Sequence, residues 1–269
     1  MCRICTDPIE QLAGVTKLDC SGCPDLVAIP DTLIALESLD CSDCPLLVSI
    51  PPTLARLAYL SCSGCPLLAT IPDTLVALVQ LYCYSCPLIA SIPDTLVRLT
   101  LLNCSNCPLV ASIPGTLVHL TLLNCSVCPL LASIPDTLIR LVTLGCTRCP
   151  LLTSIPSTLV ELNYLYCSSC PILTSIPVRR DYHTNGTLHC TGCPWLPQNV
   201  HSYPNHLPSL LRLQRWFRTG RKQTFKRFIR TRAFNEWIFH PDRIGGKAVK
   251  RQMEAELGAM RPAKKQRAE

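Results

Sequence analysis

Large aromatic side chains are scarce in this sequence: Phe, Trp and Tyr make up 6% of 269 residues, although 48% are hydrophobic. That imbalance excludes the composition of an ordinary globular domain. Long apolar runs are missing as well, because Pro, Ser, Asp and Thr interrupt every one before it reaches the roughly 18 residues of a membrane span. The opening segment MCRICTDPIEQ has no basic stretch followed by an apolar core, so no secretory signal is expected. The chain is therefore expected inside a cell, in cytoplasm, nucleus or virion, where thiols stay mostly reduced and a disulfide framework is the weaker reading. No Gly-rich phosphate loop and no Ser, His and Asp spacing is visible, and His119, His183 and His189 fall in unrelated registers. These absences point to a protein without catalytic activity or cofactor.

What the sequence does have is 24 prolines and 20 cysteines, and a period that accounts for both. Ile-Pro recurs every 21 residues from Ile29-Pro30 through Ile176-Pro177. The first cysteine of each C-x-x-C pair keeps that step from Cys20 to Cys167, with a last pair at Cys190 after a 23-residue interval. One unit reads IPDTLVALVQLYCYSCPLIAS. A fixed period of this length is the mark of a solenoid, in which each unit buries its apolar face only against its neighbours.

Within the unit the apolar positions run L-x-x-L-x-C-x-x-C-P-L, a leucine-rich-repeat pattern with cysteine at two fixed places. Leu36, Leu39 and Cys41 represent the inward set. Alternation predicts a short strand over Ser38 to Ser42, with Ser38, Asp40 and Ser42 on the outer side. The repeated proline cannot donate to a ladder, so it opens the return segment, for which a helical turn, a 3₁₀ turn or an extended stretch all fit. Residues 1–19 read as a shortened leading unit. The fold expected is a leucine-rich-repeat horseshoe with short parallel strands over residues 1–197. After it come a linker at 198–208, a small basic helical segment at 209–260 and a basic tail at 261–269.

The units resemble the leucine-rich repeats of secreted bacterial effectors, which also place Pro beside an apolar residue before the leucine stretch. They resemble more closely the cysteine-rich repeats of marseillevirus-type giant DNA viruses, and RAFNEWIFHPDRIGGK is similar to a C-terminal module of the same viral proteins. The effector resemblance raises a ubiquitin-ligase domain with a nucleophilic cysteine, but the last cysteine is Cys193.

Successive pairs give C-x₂-C-x₁₇-C-x₂-C, within the spacing of a zinc site. The repeat offers another account of both sulfurs: the first fills an inward apolar slot and the second takes the place of a ladder Asn, since a buried thiol is a small hydrophobe with a weak donor. Stacked structural thiols are the favoured reading, with no metal ligand assigned; zinc or thiol-redox use is the alternative.

Alternation places Asp40, Tyr59, Tyr82, Tyr84, Asn103, Asn124, Tyr164 and Tyr166 on the outer strand face, with few charges among them. Tyrosines so grouped make the amphipathic surface enriched at protein interfaces, though tyrosine also simply favours strands. The expected function is a non-enzymatic recognition scaffold or adaptor for a host or viral protein, with no membrane contact.

Charge divides the chain. Residues 1–200 carry 8 basic and 13 acidic side chains, net −5, whereas residues 201–269 carry 17 and 5, net +12. Arg215, Arg218, Arg221, Lys222, Lys226, Arg227, Arg230 and Arg232 are candidates to meet a polyanion such as nucleic acid, giving a virion- or nucleic-acid-associated protein as the second reading. Lys250, Arg251, Lys264, Lys265 and Arg267 have the form of a nuclear-import signal.

Overall fold

A computed structural model describes residues 2–12, 14–177 and 187–193. The chain divides into two units, Met1–Pro194 and Trp195–Glu269, and the described residues belong to the first. The linker at 198–208, the basic helices at 209–260, the tail, and every Arg and Lys named as an anion contact or import signal lie outside them.

Among the described residues, nine strands of three residues each form one parallel sheet in chain order: β1 (Lys17–Asp19), β2 (Ser38–Asp40), β3 (Tyr59–Ser61), β4 (Gln80–Tyr82), β5 (Leu101–Asn103), β6 (Leu122–Asn124), β7 (Thr143–Gly145), β8 (Tyr164–Tyr166) and β9 (Thr187–His189). The register steps by one repeat, so the central leucines stack Leu18 on Leu39 on Leu60 and onward, and the 23-residue interval is absorbed before Leu165 meets Leu188. Like meets like in the inward columns, which is why a 21-residue unit with one inward face suffices to build a core.

The strands end two residues earlier than alternation predicts. Asp40 Oδ1 accepts the Ser42 N–H at 3.0 Å, and Asp43 then turns to φ 54°, leaving the extended path. Ladder bonds continue past the strand all the same, with the Cys41 N–H donating to the Ser61 carbonyl at 2.8 Å and the Asp43 N–H to the Ser63 carbonyl at 2.7 Å. The left-handed position recurs in each unit, occupied by Gly22, Gly64 and Gly192 and elsewhere by Asp43, Ser85, Asn106, Val127, Arg148 and Ser169. Val127, at φ 59° and 38% exposed, is the misfit, because a β-branched side chain is strained there. Val127→Gly is expected to raise stability by about 1 kcal/mol, roughly 2–4 °C in melting temperature, since the relieved strain exceeds the flexibility glycine adds to the unfolded chain. A thermal melt showing no gain would mean that the backbone here is relaxed.

Inward columns are complete. Leu33, Leu36, Leu39, Cys41, Cys44 and Leu47 are each 0% exposed, and their equivalents along the array are buried too. One expectation needs correction: the Leu after each Cys-Pro faces solvent, and the following residue takes the inward slot. Leu46 is 44% exposed whereas Leu47 is buried, because Pro45 and Leu46 occupy the tip of a turn closed by the Leu47 N–H on the Cys44 carbonyl at 3.3 Å. The inward pattern is therefore L-x-x-L-x-C-x-x-C-x-x-L.

Successive three-residue turns make up the return segment. The Leu33 N–H donates to the Pro30 carbonyl at 3.4 Å and the Leu36 N–H to the Leu33 carbonyl at 3.1 Å, a pattern repeated at Leu117 and Leu120. Proline supplies an acceptor and needs no partner for an N–H, which suits the first of these turns. A threonine column ties the returns together: Thr53 donates its hydroxyl to the Asp31 carbonyl at 2.7 Å, and the same bond recurs up to Thr158 and Asp136 at 2.6 Å.

The start of the array keeps part of the repeat, as a shortened unit over residues 1–19 implies: Leu12 is buried in the slot that Leu33 fills one unit on, and the Val15 N–H closes on the Leu12 carbonyl at 3.0 Å as Leu36 closes on Leu33. The unit is irregular, with two short helical turns, α1 (Arg3–Thr6) and α2 (Ile9–Leu12), before β1. Pro8 separates them, lacking the N–H that would continue the first, and Arg3 braces it through Asp7 at 2.8 Å. Leu12 is fully buried. A repeat at the end of a solenoid has an open apolar side that must be covered, and this segment supplies cover.

Candidate protein-binding face

Three outward columns line the strand side: the first strand residue, the third, and the residue after the first cysteine. Tyr59 opens β3 and Tyr82 closes β4, one register step apart on the diagonal, and their rings meet at 5.8 Å between centroids, tilted by 47°. Tyr84 follows in the third column and is 42% exposed. Between these rings lie Ser61 and Ser63, which are buried at 7% and 1% exposure. Ser61 shares a 2.6 Å hydrogen bond with Ser42, whereas Ser63 Oγ is buried with no hydrogen-bonding partner among the described residues. Burial, chiefly, with the nearby Asp40 carboxylate, pushes the Tyr59 hydroxyl above its ordinary value, against a hydrogen bond with Ser61.

A second aromatic group sits on β8 and β9. Tyr166 stacks on His189 with centroids 5.2 Å apart and rings within 10° of parallel, and Tyr164 is 37% exposed on the same strand. Four strand spacings, about 19 Å, separate β4 from β8. Half-buried Leu101 and Leu122 lie between the two groups, followed by Thr143 and Gly145. Gly145 keeps this stretch low; a Cβ there would come within 2.8 Å of Asn124 Oδ1.

The polar candidates have a different duty. Asp40 closes its own turn on Ser42; Asn103 accepts the Ser105 N–H at 3.2 Å and its hydroxyl at 2.8 Å, and Asn124 accepts the Ser126 N–H at 3.2 Å. Their acceptor oxygens thus shape the strand exits, and the tyrosines are left as candidate contact groups on the face. Sequence reasoning undervalues His189, Leu122 and Gly145, which the register places in the same columns as Tyr166, Leu101 and Asn124. It also passes over a second apolar surface: from Leu46 to Ile172 the residue after each Cys-Pro is 43–46% exposed, one in every unit. His119 stands apart, on a return segment beside Arg140 at 3.1 Å.

The cysteines form the spine beneath this face. The second thiol of each pair donates to a main-chain carbonyl of the preceding unit, from Cys44 on Cys20 at 3.2 Å through Cys107 on Cys83 at 3.1 Å to Cys193 on Cys167 at 3.1 Å. Each thiol thus gives its own weak donor and a buried carbonyl a partner in the core. Burial pushes Cys41, Cys62, Cys125 and Cys146 well above the ordinary thiol value of 9.0, and raises Cys44, Cys65 and Cys86 to about 11. These sulfurs are neutral packing groups. At the edge the balance reverses for Cys23, where burial is outweighed by hydrogen bonds from the Cys2 N–H and the thiols of Cys2 and Cys5, bringing it down to about 7.

The Leucine Rich Repeat family matches residues 35–57. Among solved structures, the leucine-rich-repeat domain of the type III effector XopL is 20% identical with a TM-score of 0.58, covering 77% of each chain. YopM, a leucine-rich effector protein from Yersinia pestis, is 23% identical with a TM-score of 0.53, over 63% of this chain and 46% of its own. The functional domain of InlJ from Listeria monocytogenes, described as including a cysteine ladder, is 20% identical with a TM-score of 0.51, over 66% of this chain and 49% of its own. This chain thus spans about half the length of InlJ and YopM. At these identities the likeness establishes the fold. No curated protein matches the chain.

Proposed function

We propose that this leucine-rich-repeat solenoid is a recognition scaffold that holds a protein partner on its strand face, gripped at Tyr59, Tyr82 and Tyr84 and again at Tyr164, Tyr166 and His189. The observation that carries this reading is the pairing of two aromatic groups, about 19 Å apart, on a face with few charges. Tyrosines present large, rigid, amphipathic area at small entropic cost, and such residues dominate binding energy. Leucine-rich-repeat folds serve generally as non-enzymatic scaffolds, which fits the purpose. The resemblance of the repeats to those of giant DNA viruses makes the partner a host or viral protein met inside the cell.

The test is capture from host and infected-cell lysate by the full chain, followed by measured affinity for whatever is captured. Tyr82→Ala with Tyr84→Ala should weaken binding by roughly 30-fold or more, the loss of at least about 2 kcal/mol typical of a hot spot. Leu88→Ser, in the exposed column outside the face, should leave it unchanged. A partner indifferent to the tyrosines and lost with Leu88 would move the interface to that other column.

A second reading rests on the +12 carried by residues 201–269. A polyanion, nucleic acid first, would be contacted through the cluster from Arg215 to Arg232. It predicts affinity that falls steeply and linearly on a log–log plot against salt, and that is untouched by the tyrosine changes.

A further inference from the structure

The first cysteine pair does not behave like the others. Every pair from Cys20-Cys23 to Cys190-Cys193 is buried, whereas Cys2 is half-buried and Cys5 is exposed. An exposed thiol gains nothing from the packing that accounts for the ladder. Helical turn α1 carries both sulfurs back across the edge of β1, where they meet the next pair. Cys2 Sγ lies 3.7 Å from Cys5 Sγ, Cys5 Sγ lies 3.6 Å from Cys23 Sγ, and all three sulfurs are within 4.8 Å of one another.

Those distances discriminate among the uses of sulfur. A disulfide needs about 2.05 Å. Four sulfurs around zinc at about 2.3 Å stand about 3.8 Å apart along each edge of the tetrahedron. The separations found here are those of a thiolate cage. Backbone geometry agrees, because each C-x-x-C is folded into a tight turn, closed by the Cys5 N–H on the Cys2 carbonyl at 2.9 Å and by the Cys23 N–H on the Cys20 carbonyl at 3.3 Å. The Cys2 N–H points at Cys23 Sγ at 3.4 Å, a donor placed to support negative charge on that sulfur. Cys23 also departs from its ladder role: where Cys44 donates to a carbonyl one unit back, Cys23, in the turn after β1, accepts the Cys2 N–H and lies against the Cys5 thiol. Cys20, which shares the C-x-x-C turn of Cys23, stands outside that group of three and would be drawn in to supply the fourth sulfur. Together they spell C-x₂-C-x₁₄-C-x₂-C, one residue short of the usual zinc spacing.

We propose that Cys2, Cys5, Cys20 and Cys23 bind one zinc-class divalent cation, which clamps the leading helical turns onto β1 and closes that end of the solenoid. On binding, the four thiols surrender four protons to solvent, giving a cage with net charge −2 and no change in oxidation state. The other pairs stay out of this chemistry, since their second thiols are committed to carbonyls in the core. The role is structural: the metal fixes a segment too short to hold itself, as small metal sites commonly do.

Cobalt titration of the full-length chain, purified metal-free under reductant, tests the assignment. One equivalent should produce the visible bands of tetrahedral cobalt thiolate, and zinc should bleach them. Cys5→Ser, at an exposed position that the core does not need, should lower zinc affinity by more than the roughly 100-fold that loss of an outer-shell partner costs. Its metal-free melting temperature should match the parent's, with the rise on adding zinc gone. Cys65→Ser, within the ladder, should leave the cobalt spectrum intact. Absence of the bands, their persistence in Cys5→Ser, or a spectrum that Cys65→Ser disturbs equally would overturn the site, and an unaltered spectrum in Cys20→Ser would overturn the four-sulfur set.

Discussion

Raising the pH above about 9 is expected to unfold the solenoid over a narrow range, while leaving it stable at pH 7 to 8. Cys41, Cys62, Cys125 and Cys146 are held neutral well above the ordinary thiol value of 9.0 because burial disfavours their thiolates. Unfolding returns them to water, where they ionise near 9. Above that pH the unfolded chain binds fewer protons than the native one, so stability falls as pH rises; the contribution is fully present below about 9 and is lost progressively beyond it. Each such thiol contributes about 1.4 kcal/mol per pH unit, so four remove roughly 5 kcal/mol per unit from a total that for most proteins is 5–15 kcal/mol. Thermal melts under reductant between about pH 7 and 11 would show the collapse. Replacing Cys62 and Cys125 together by valine should lower the slope by about 3 kcal/mol per pH unit, whatever it does to stability at neutral pH. Melting temperatures flat up to pH 11 would mean that these sulfurs ionise in place and are not sealed in the core.

Leu102→Ala is expected to cost about 3 kcal/mol, within the 2–5 kcal/mol range for emptying a buried leucine site, and to lower the melting temperature by roughly 6–12 °C. Leu102 is fully buried at the centre of β5, stacked between Leu81 and Leu123. Strands in this array touch only their sequence neighbours, so no distant element can fill the void. The damage falls on one interface between units and should also blunt cooperativity, with the two halves melting at separate temperatures. Leu101→Ala removes the same atoms from the half-buried outer side of the same strand and should cost less than about 1 kcal/mol. Equal losses at the two positions would show that the assigned inward and outward faces are wrong.

Much of the candidate face can be read from the sequence because register in a repeat is arithmetic. Tyr59 and Tyr82 are 23 residues apart, one unit and two positions, and counting alone places them on a diagonal of adjacent strands. What arithmetic does not supply is how a side chain spends its polar atoms. Asp40, Asn103 and Asn124 read as binding groups among the outward residues, and each also spends one oxygen on closing the turn that follows it. Leu46 looks inward because it is leucine in an apolar pattern; Pro45 and the turn that contains it aim it outward.

The sequence by itself determined the solenoid, its period, its leucine and cysteine columns, and which tyrosines would be neighbours. Those follow from repetition: a residue 21 positions away is the stacking neighbour whatever path the chain takes between, so a local pattern specifies the long-range contact. The tertiary structure alone decided the short strands, the turn-built return, the outward leucines, and above all the meeting of Cys2, Cys5 and Cys23 at the edge of β1. There the repeat has lost its neighbour, and the contacts depend on how two irregular turns fold back onto an exposed apolar edge, which spacing along the chain does not encode.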